Sequence, residues 1–306
     1  MIRTIDAGEL RRRVPIGRAI DALEAAFREE DPSLAAPLRS SLATSAGTLV
    51  LMPAAGQRGV GVKLVTLSEH NPRAGLPFLH ALYALFDRET QAPEAVIDGS
   101  ELTAIRTAAV SGLATRLLAR PDARRLVLFG AGVQGRAHLE SIAAVRPIDD
   151  VMVVSRTPGP AAALAERATE LGLRGSVGTP EDVAEADVVC TCTTSAVPVF
   201  DGGALAPGAH VNAVGAYLPN EREVDSATMA RAKVVVETRE VALAEAGDLL
   251  IPIEEGVIGA DHIRADLAEL VRGAEVRAGA DDVTLFESVG MAFEDLVVAR
   301  AALEAG

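Results

Sequence analysis

In the stretch LVLFGAGVQGRAHLE, Gly130, Gly132 and Gly135 follow an apolar run and open a helix-like one, with the spacing G-x-G-x-x-G. That spacing suits a dinucleotide. The first glycine permits a tight turn, the second lets the backbone approach a pyrophosphate, and the third lets a helix pack closely on a strand, while the helix N-terminus attracts negative charge. A purely structural glycine turn is the competing reading. The next apolar run, DDVMVV, ends in Ser155, Arg156 and Thr157, where an NAD-preferring site presents an acid to the ribose 2′-hydroxyl. With the acid missing, the guanidinium and two hydroxyls suit a 2′-phosphate, so the pattern favours NADP(H) over NAD(H). A solvated arginine at a strand end is the alternative.

A second cation stands out in SELTAIRTAAVSGLATRLLAR, where Arg106 interrupts small and aliphatic residues. Leu102, Ile105, Ala109, Leu113 and Leu117 recur at helical spacing, and Ser100 after Asp98-Gly99 is the expected N-cap. Positions three and four residues from Arg106 hold Leu102, Thr103, Ala109 and Val110, so no local carboxylate can pair with it. Either the side chain snorkels or meets a distant acid, or its fork awaits a ligand's carboxylate or phosphate.

Several elements must position these groups. Residues 15–29 read as an amphipathic helix. AGTLVLMPA, GVGVKLVTL and PFLHALYALFDRETQAPEAVIDG read as strands, the last as two joined by a polar turn at 87–92, so the first third is mainly a sheet meander. After Pro121-Asp122-Ala123, short apolar strands at 126–129, 151–155, 187–192, 209–214 and 233–236 alternate with alanine-rich helices, the signature of a parallel doubly wound sheet. The tail TLFESVGMAFEDLVVARAALEAG reads as one more amphipathic helix.

Composition narrows the classes. The 306 residues carry 49% hydrophobic and 24% charged residues, an ordinary globular balance. Lys plus Arg (29) against Asp plus Glu (43) gives a net charge of −14, which disfavours nucleic acid and anionic membrane surfaces, so an anionic ligand needs a local cationic cluster. The charged N-terminal segment lacks the apolar core of a signal peptide and no apolar run is of membrane-spanning length, which sets cytoplasmic location as the expectation. Cys190 and Cys192, two apart on a strand, read as core thiols rather than a disulfide or a metal pair, and no metal site is expected.

Taken together, GVKLVTLSEHNPRAGLPFLHALYALFDRETQAPEAVIDGSELTAIRTAAVSGLATRLLA, GAGVQGRAHLE, VNAVGAYLPNEREVD and TLFESVGMAFED resemble the ornithine cyclodeaminase/mu-crystallin family from about residue 35 onward. The resemblance implies an α/β chain. A mixed α+β domain (1–120 with 289–306), completed by the C-terminal helix, binds substrate and forms a homodimer, and a Rossmann domain (121–288) binds the nicotinamide cofactor. It makes Arg39, Lys63 and Arg106 the cluster around a substrate carboxylate, which would otherwise repel one another, so that the ligand supplies the counter-ion of Arg106. It also places Val133 and Gln134 at the cofactor, and Thr193, Val214 and Ser288 along the nicotinamide or its ribose. Tyr217 stands where cyclodeaminases carry a catalytic aspartate, and a phenol cannot supply that charge near neutral pH. The resemblance therefore implies an NADP(H)-dependent imine (ketimine) reductase, or an amino-acid dehydrogenase, acting on a small 2-imino or cyclic imino acid, with Tyr217 as a second donor. A cyclodeaminase with a substituted acid/base, and a non-catalytic NADP-dependent binder of mu-crystallin type, are the rival expectations.

Overall fold

The computed structural model describes Ile2–Ala305, apart from the side chain of Leu34. In chain order the first elements are β1 (Arg3–Ile5), α1 (Ala7–Arg13), α2 (Ile16–Glu29), α3 (Pro32–Ala35), β2 (Ser40–Thr44), β3 (Gly47–Gly56), β4 (Gly59–Leu67), β5 (Leu79–Phe86), β6 (Pro93–Asp98) and α4 (Gly99–Leu118). There follow β7 (Arg125–Phe129), α5 (Val133–Val145), β8 (Asp150–Val154), α6 (Pro158–Glu170), β9 (Arg174–Val177), β10 (Val188–Thr191), β11 (His210–Ala213), α7 (Ser226–Arg231), β12 (Lys233–Val236), α8 (Arg239–Glu245), α9 (Gly247–Glu254), β13 (Ile263–Asp266), α10 (Leu267–Val271), β14 (Thr284–Glu287) and α11 (Ala292–Glu304). No helix among the described residues is long and apolar enough to cross a membrane.

Two compact units emerge, one of residues up to Ala109 with those from Met291 on, the other Val110–Gly290. The first division falls inside α4 rather than at Pro121-Asp122-Ala123, because an unbroken buried helix carries no punctuation in its middle. The start of α4 also differs from expectation. Asp98 Oδ1 accepts the Glu101 N–H at 2.9 Å, whereas the Ser100 hydroxyl oxygen accepts the N–H of Ala81 at 3.0 Å, tying the helix to β5 instead of capping it.

The first unit holds a six-stranded sheet in the order β1-β6-β5-β4-β3-β2, antiparallel except for the β1–β6 pair. Strand alternation sends Val50, Met52, Ala54, Lys63, Val65, Tyr83, Leu85, Ala95 and Ile97 to the buried face. There α11 packs on β3, β4 and β5 and against α2, with Phe293 edge-on to Phe27 at 5.3 Å. The opposite face is a leucine stripe, with Leu51, Leu64 and Leu82 in register; Leu64 and Leu82 are 37% and 56% exposed, and Leu42 nearby is 60% exposed.

The second unit is an eight-stranded, all-parallel sheet in the order β13-β12-β14-β11-β10-β7-β8-β9. Its central strands are apolar on both faces, as a sheet covered on both sides requires. Leu126 and Leu128 pack with Leu139, Ile142 and Leu164 on one side, while Val127, Val189, Val211 and Leu285 share a core on the other. The chain runs from β7 out to β8 and β9, then returns past β7 to β10, so its topological switch lies between β7 and β10. The tail departs from the helical reading: Thr284–Glu287 is a strand between β11 and β12, and only the residues from Ala292 are helical. That helix is buried on nearly every side rather than amphipathic.

Candidate active site

At the switch point the three glycines fulfil distinct roles. Gly130 has φ +99°, and a Cβ there would lie 2.4 Å from the Cys192 carbonyl oxygen. A Cβ on Gly135 would lie 2.0 Å from the Gly130 carbonyl oxygen, so α5 packs directly on the end of β7. Gly132 is different: it is the N-cap of α5, makes no side-chain cap, and a Cβ there would meet nothing within 4 Å. Open space over uncapped helix N–H groups is what an incoming pyrophosphate requires. Val133, at the helix start, is 65% exposed, and the Oε1 of Gln134 is buried without a hydrogen-bond partner. The residues present therefore fit a dinucleotide.

The other nucleotide-side residues stand at the carboxyl ends of neighbouring strands. Ser155 directly follows β8, with exposed Arg156 and Thr157 behind it; the Thr157 N–H donates to the Ser155 hydroxyl oxygen at 3.3 Å. Thr193 follows β10 and is half-buried, Val214 directly follows β11, and Ser288 directly follows β14. The strands β14-β11-β10-β7-β8 are contiguous in the sheet, so the structure brings Ser288, Val214, Thr193, Gly130 and Ser155 to one edge in that order. The Ser288 hydroxyl donates to the Glu237 carboxylate at 2.7 Å. Tyr217, in the loop after β11, is half-buried against the core on that side.

In the first unit the remaining cations gather on the helix-covered sheet face. Lys63, opposite Met52 and Tyr83 in the sheet register, is 1% exposed. Its Nζ donates to Asp295 Oδ1 at 3.0 Å and lies 2.8 Å from Oδ2. Arg106 Nη1 donates to Glu294 Oε2 at 2.8 Å, and its Nε lies 3.3 Å from Asp295 Oδ1. Both acids are fully buried on the first turn of α11. This corrects the expectation that only a ligand would provide the counter-ion of Arg106, and that the cations would repel one another without one. The chain provides two carboxylates of its own. The signal for them was the adjacent acid pair in GMAFEDLVVARAALEAG, at the start of a helix otherwise rich in alanine, valine and leucine.

Burial, opposed by the Asp295 carboxylate and reinforced by the charges of Arg106 and Arg39, brings the Lys63 ammonium down to about 8. Arg39 sits half-buried in the loop before β2, close enough for its charge to act on Lys63. A lysine poised near neutrality beside a guanidinium fork can deliver a proton next to a bound carboxylate. Cys190 and Cys192 are both free thiols, and burial pushes Cys190 up to about 12.

The sequence profile of the ornithine cyclodeaminase/mu-crystallin family matches residues 3–305. Among curated relatives, a Delta(1)-pyrroline-2-carboxylate reductase of Bacillus cereus is 38% identical over 306 residues, covering 97% of this chain and 94% of its own. Ketimine reductase mu-crystallin of Mus musculus is 38% identical over 289 residues, covering 92% and 90%. Among solved structures, the Thermococcus litoralis Delta(1)-pyrroline-2-carboxylate reductase in complex with NADH and L-proline superposes with a TM-score of 0.93 at 35% identity, covering 99% of this chain and 97% of that one.

Proposed function

The chain belongs to the ornithine cyclodeaminase/mu-crystallin family, and on that premise we propose that it is an NAD(P)H-dependent reductase of the C=N bond in a small 2-imino or cyclic imino acid, the reverse reaction being an amino-acid oxidation. The observation that carries this reading is buried Lys63, held by Asp295 beside Arg106 and brought to about 8. The relatives named as pyrroline-2-carboxylate and ketimine reductases support the same chemistry. When bound, the nicotinamide supplies the hydride to the imine carbon. Arg39 and Arg106 hold the substrate carboxylate and so fix which face of the C=N bond is presented. Lys63 delivers the proton to the imine nitrogen, or hydrogen-bonds the carboxylate, and Tyr217 stands as a second donor.

The glycine turn, Val133 and Gln134 hold the pyrophosphate half, and Thr193, Val214 and Ser288 the nicotinamide half. The test is imine-dependent oxidation of NAD(P)H with pyrroline-2-carboxylate and piperideine-2-carboxylate. Release of ammonia from ornithine would move the assignment to a cyclodeaminase, and nucleotide binding without turnover would move it to a carrier of small molecules.

For the choice of nucleotide, the Thermococcus relative is solved with NADH, so the preference rests on this chain's own residues after β8. Exposed Arg156, with Ser155 and Thr157, suits a 2′-phosphate. NADPH is expected to bind at least about tenfold more tightly than NADH, equivalent to about 1.4 kcal/mol, and Arg156→Asp is expected to reverse the order. Fluorescence titration decides it, and NADH preferred by the parent protein would remove the assignment.

The reading extends to assembly. Leu42, Leu64 and Leu82 form an apolar patch on the sheet face opposite α11, of the kind that marks an interaction surface. We expect a homodimer formed through this face. Light scattering should give twice the 31.7 kDa chain mass, and Leu82→Asp should shift the population toward monomer. A parent protein that stays monomeric at every concentration would rule this out.

A further inference from the structure

We propose that Glu223 is a positioning residue for the nicotinamide half of the site, acting by tying together the loops that follow β10 and β11. The proposal rests on the cofactor reading above and adds a residue that neither the glycine motif nor the strand ends point to.

Glu223 is fully buried, and forms no ion pair among the described residues. Its two oxygens are nevertheless both engaged. Oε1 accepts the Thr193 N–H at 2.6 Å and also the Thr193 hydroxyl. Oε2 accepts the Gly215 N–H at 2.6 Å. One carboxylate thus spans two loops, one carrying Thr193 and the other carrying Val214 and Tyr217. Gly215 is packed between them: a Cβ there would lie 2.2 Å from the Thr193 carbonyl oxygen and 2.5 Å from Glu223 Oε2. Glu223 is in turn fixed from behind, because Asp248 Oδ1 accepts the N–H of Glu223 at 2.8 Å and of Val224 at 2.7 Å.

Desolvating a carboxylate without a cation is expensive, and an apolar side chain would fill the same space more cheaply. What an apolar residue cannot do is accept three donors from two loops. A glutamine cannot do so either, since it presents one acceptor oxygen and turns an N–H toward whichever loop faces its nitrogen. Glu223→Gln therefore releases one tether whichever way the amide is turned. Thr193 and Val214 then lose their common anchor, while the glycine turn and Arg156, on other strands, are untouched.

The experiment compares the parent and Glu223→Gln in two measurements: turnover at saturating NAD(P)H and imine, and binding of the adenine-half fragment 2′-phospho-ADP-ribose or ADP-ribose, whichever the parent prefers. A misplacement of about 1 Å at the reacting centre suffices for a loss on the order of a hundredfold. The expected result is therefore a kcat lowered about ten- to a hundredfold, with fragment affinity within about twofold of the parent. Unchanged kcat, or kcat and fragment affinity lost in equal proportion, overturns the proposal. A parent that binds the nucleotides but never turns over overturns the function itself. If Glu223→Gln is recovered unfolded, Glu223→Asp makes the same comparison, since it keeps the charge but is one methylene short of spanning both loops.

Discussion

Replacing Arg106 by alanine is expected to weaken both catalysis and the fold, and the two losses are separable. Without the guanidinium, a 2-carboxylated imine loses a desolvated partner typically worth about 2–5 kcal/mol, so kcat/KM should fall by roughly thirtyfold to several thousandfold while NAD(P)H affinity changes by no more than a few-fold. The same substitution strips a cation from Glu294 and Asp295, both buried on α11. Breaking a buried pair from one side costs about 3–5 kcal/mol, so the variant should melt well below the parent. Loss of stability alone therefore does not argue against a substrate role. The decisive variant is Arg106→Met combined with Glu294→Gln, which removes both charges. It should recover most of the thermal stability and none of the turnover. If the double variant regained activity on the carboxylated imine, the arginine would be structural. Arg106→Lys should rescue little in either assay, because a point charge cannot reproduce the fork that reaches both acids.

The second large effect concerns Lys63. Removing a positioned proton donor costs on the order of 10²–10⁴ in rate, so Lys63→Met should lower turnover by about that factor. The pH profile carries the more specific information. Lys63 donates only while protonated, and burial brings it to about 8, so imine reduction should decline as pH rises through about 8, whereas amine oxidation should improve over the same range. Asp295 holds that value up, by its charge and its hydrogen bond. Asp295→Asn should therefore move the declining limb to lower pH. A limb that stays put in this variant would mean that another group sets it.

How far the sequence discloses this arrangement depends on the range over which each signal acts. The strands of the parallel sheet are legible because each is a short apolar run between turn residues, and five of them fall within a residue or two of β7, β8, β10, β11 and β12. β9, RGSV, and β13, IRAD, escape because each is an edge strand with little apolar content, and β14, TLFE, because four residues are too few to separate strand from helix by period. The glycine turn is legible because its tight turn and its packing of helix on strand are local, although the Cys192 carbonyl that crowds Gly130 comes from the end of another strand. The counter-ions of Arg106 and Lys63 are not: they lie 188 and 232 residues away, and helical spacing reports only on neighbours three and four residues off. Glu223 is hidden for the same reason, since an acid in a loop looks solvated until the fold closes over it.

The position of α11 in the chain has a consequence for the order of folding. During synthesis β4 and α4 emerge early, with a lysine and an arginine destined for burial, but the carboxylates that neutralise them emerge only after the entire parallel sheet. The second unit completes its sheet only when β14 inserts between β11 and β12, and the first must keep its sheet face wet still longer, until α11 arrives. Docking of α11 is thus a long-range event, and until it occurs the nascent chain holds two solvated cations over an unfinished core. The cluster that would meet the substrate is completed only after the parallel sheet has been made.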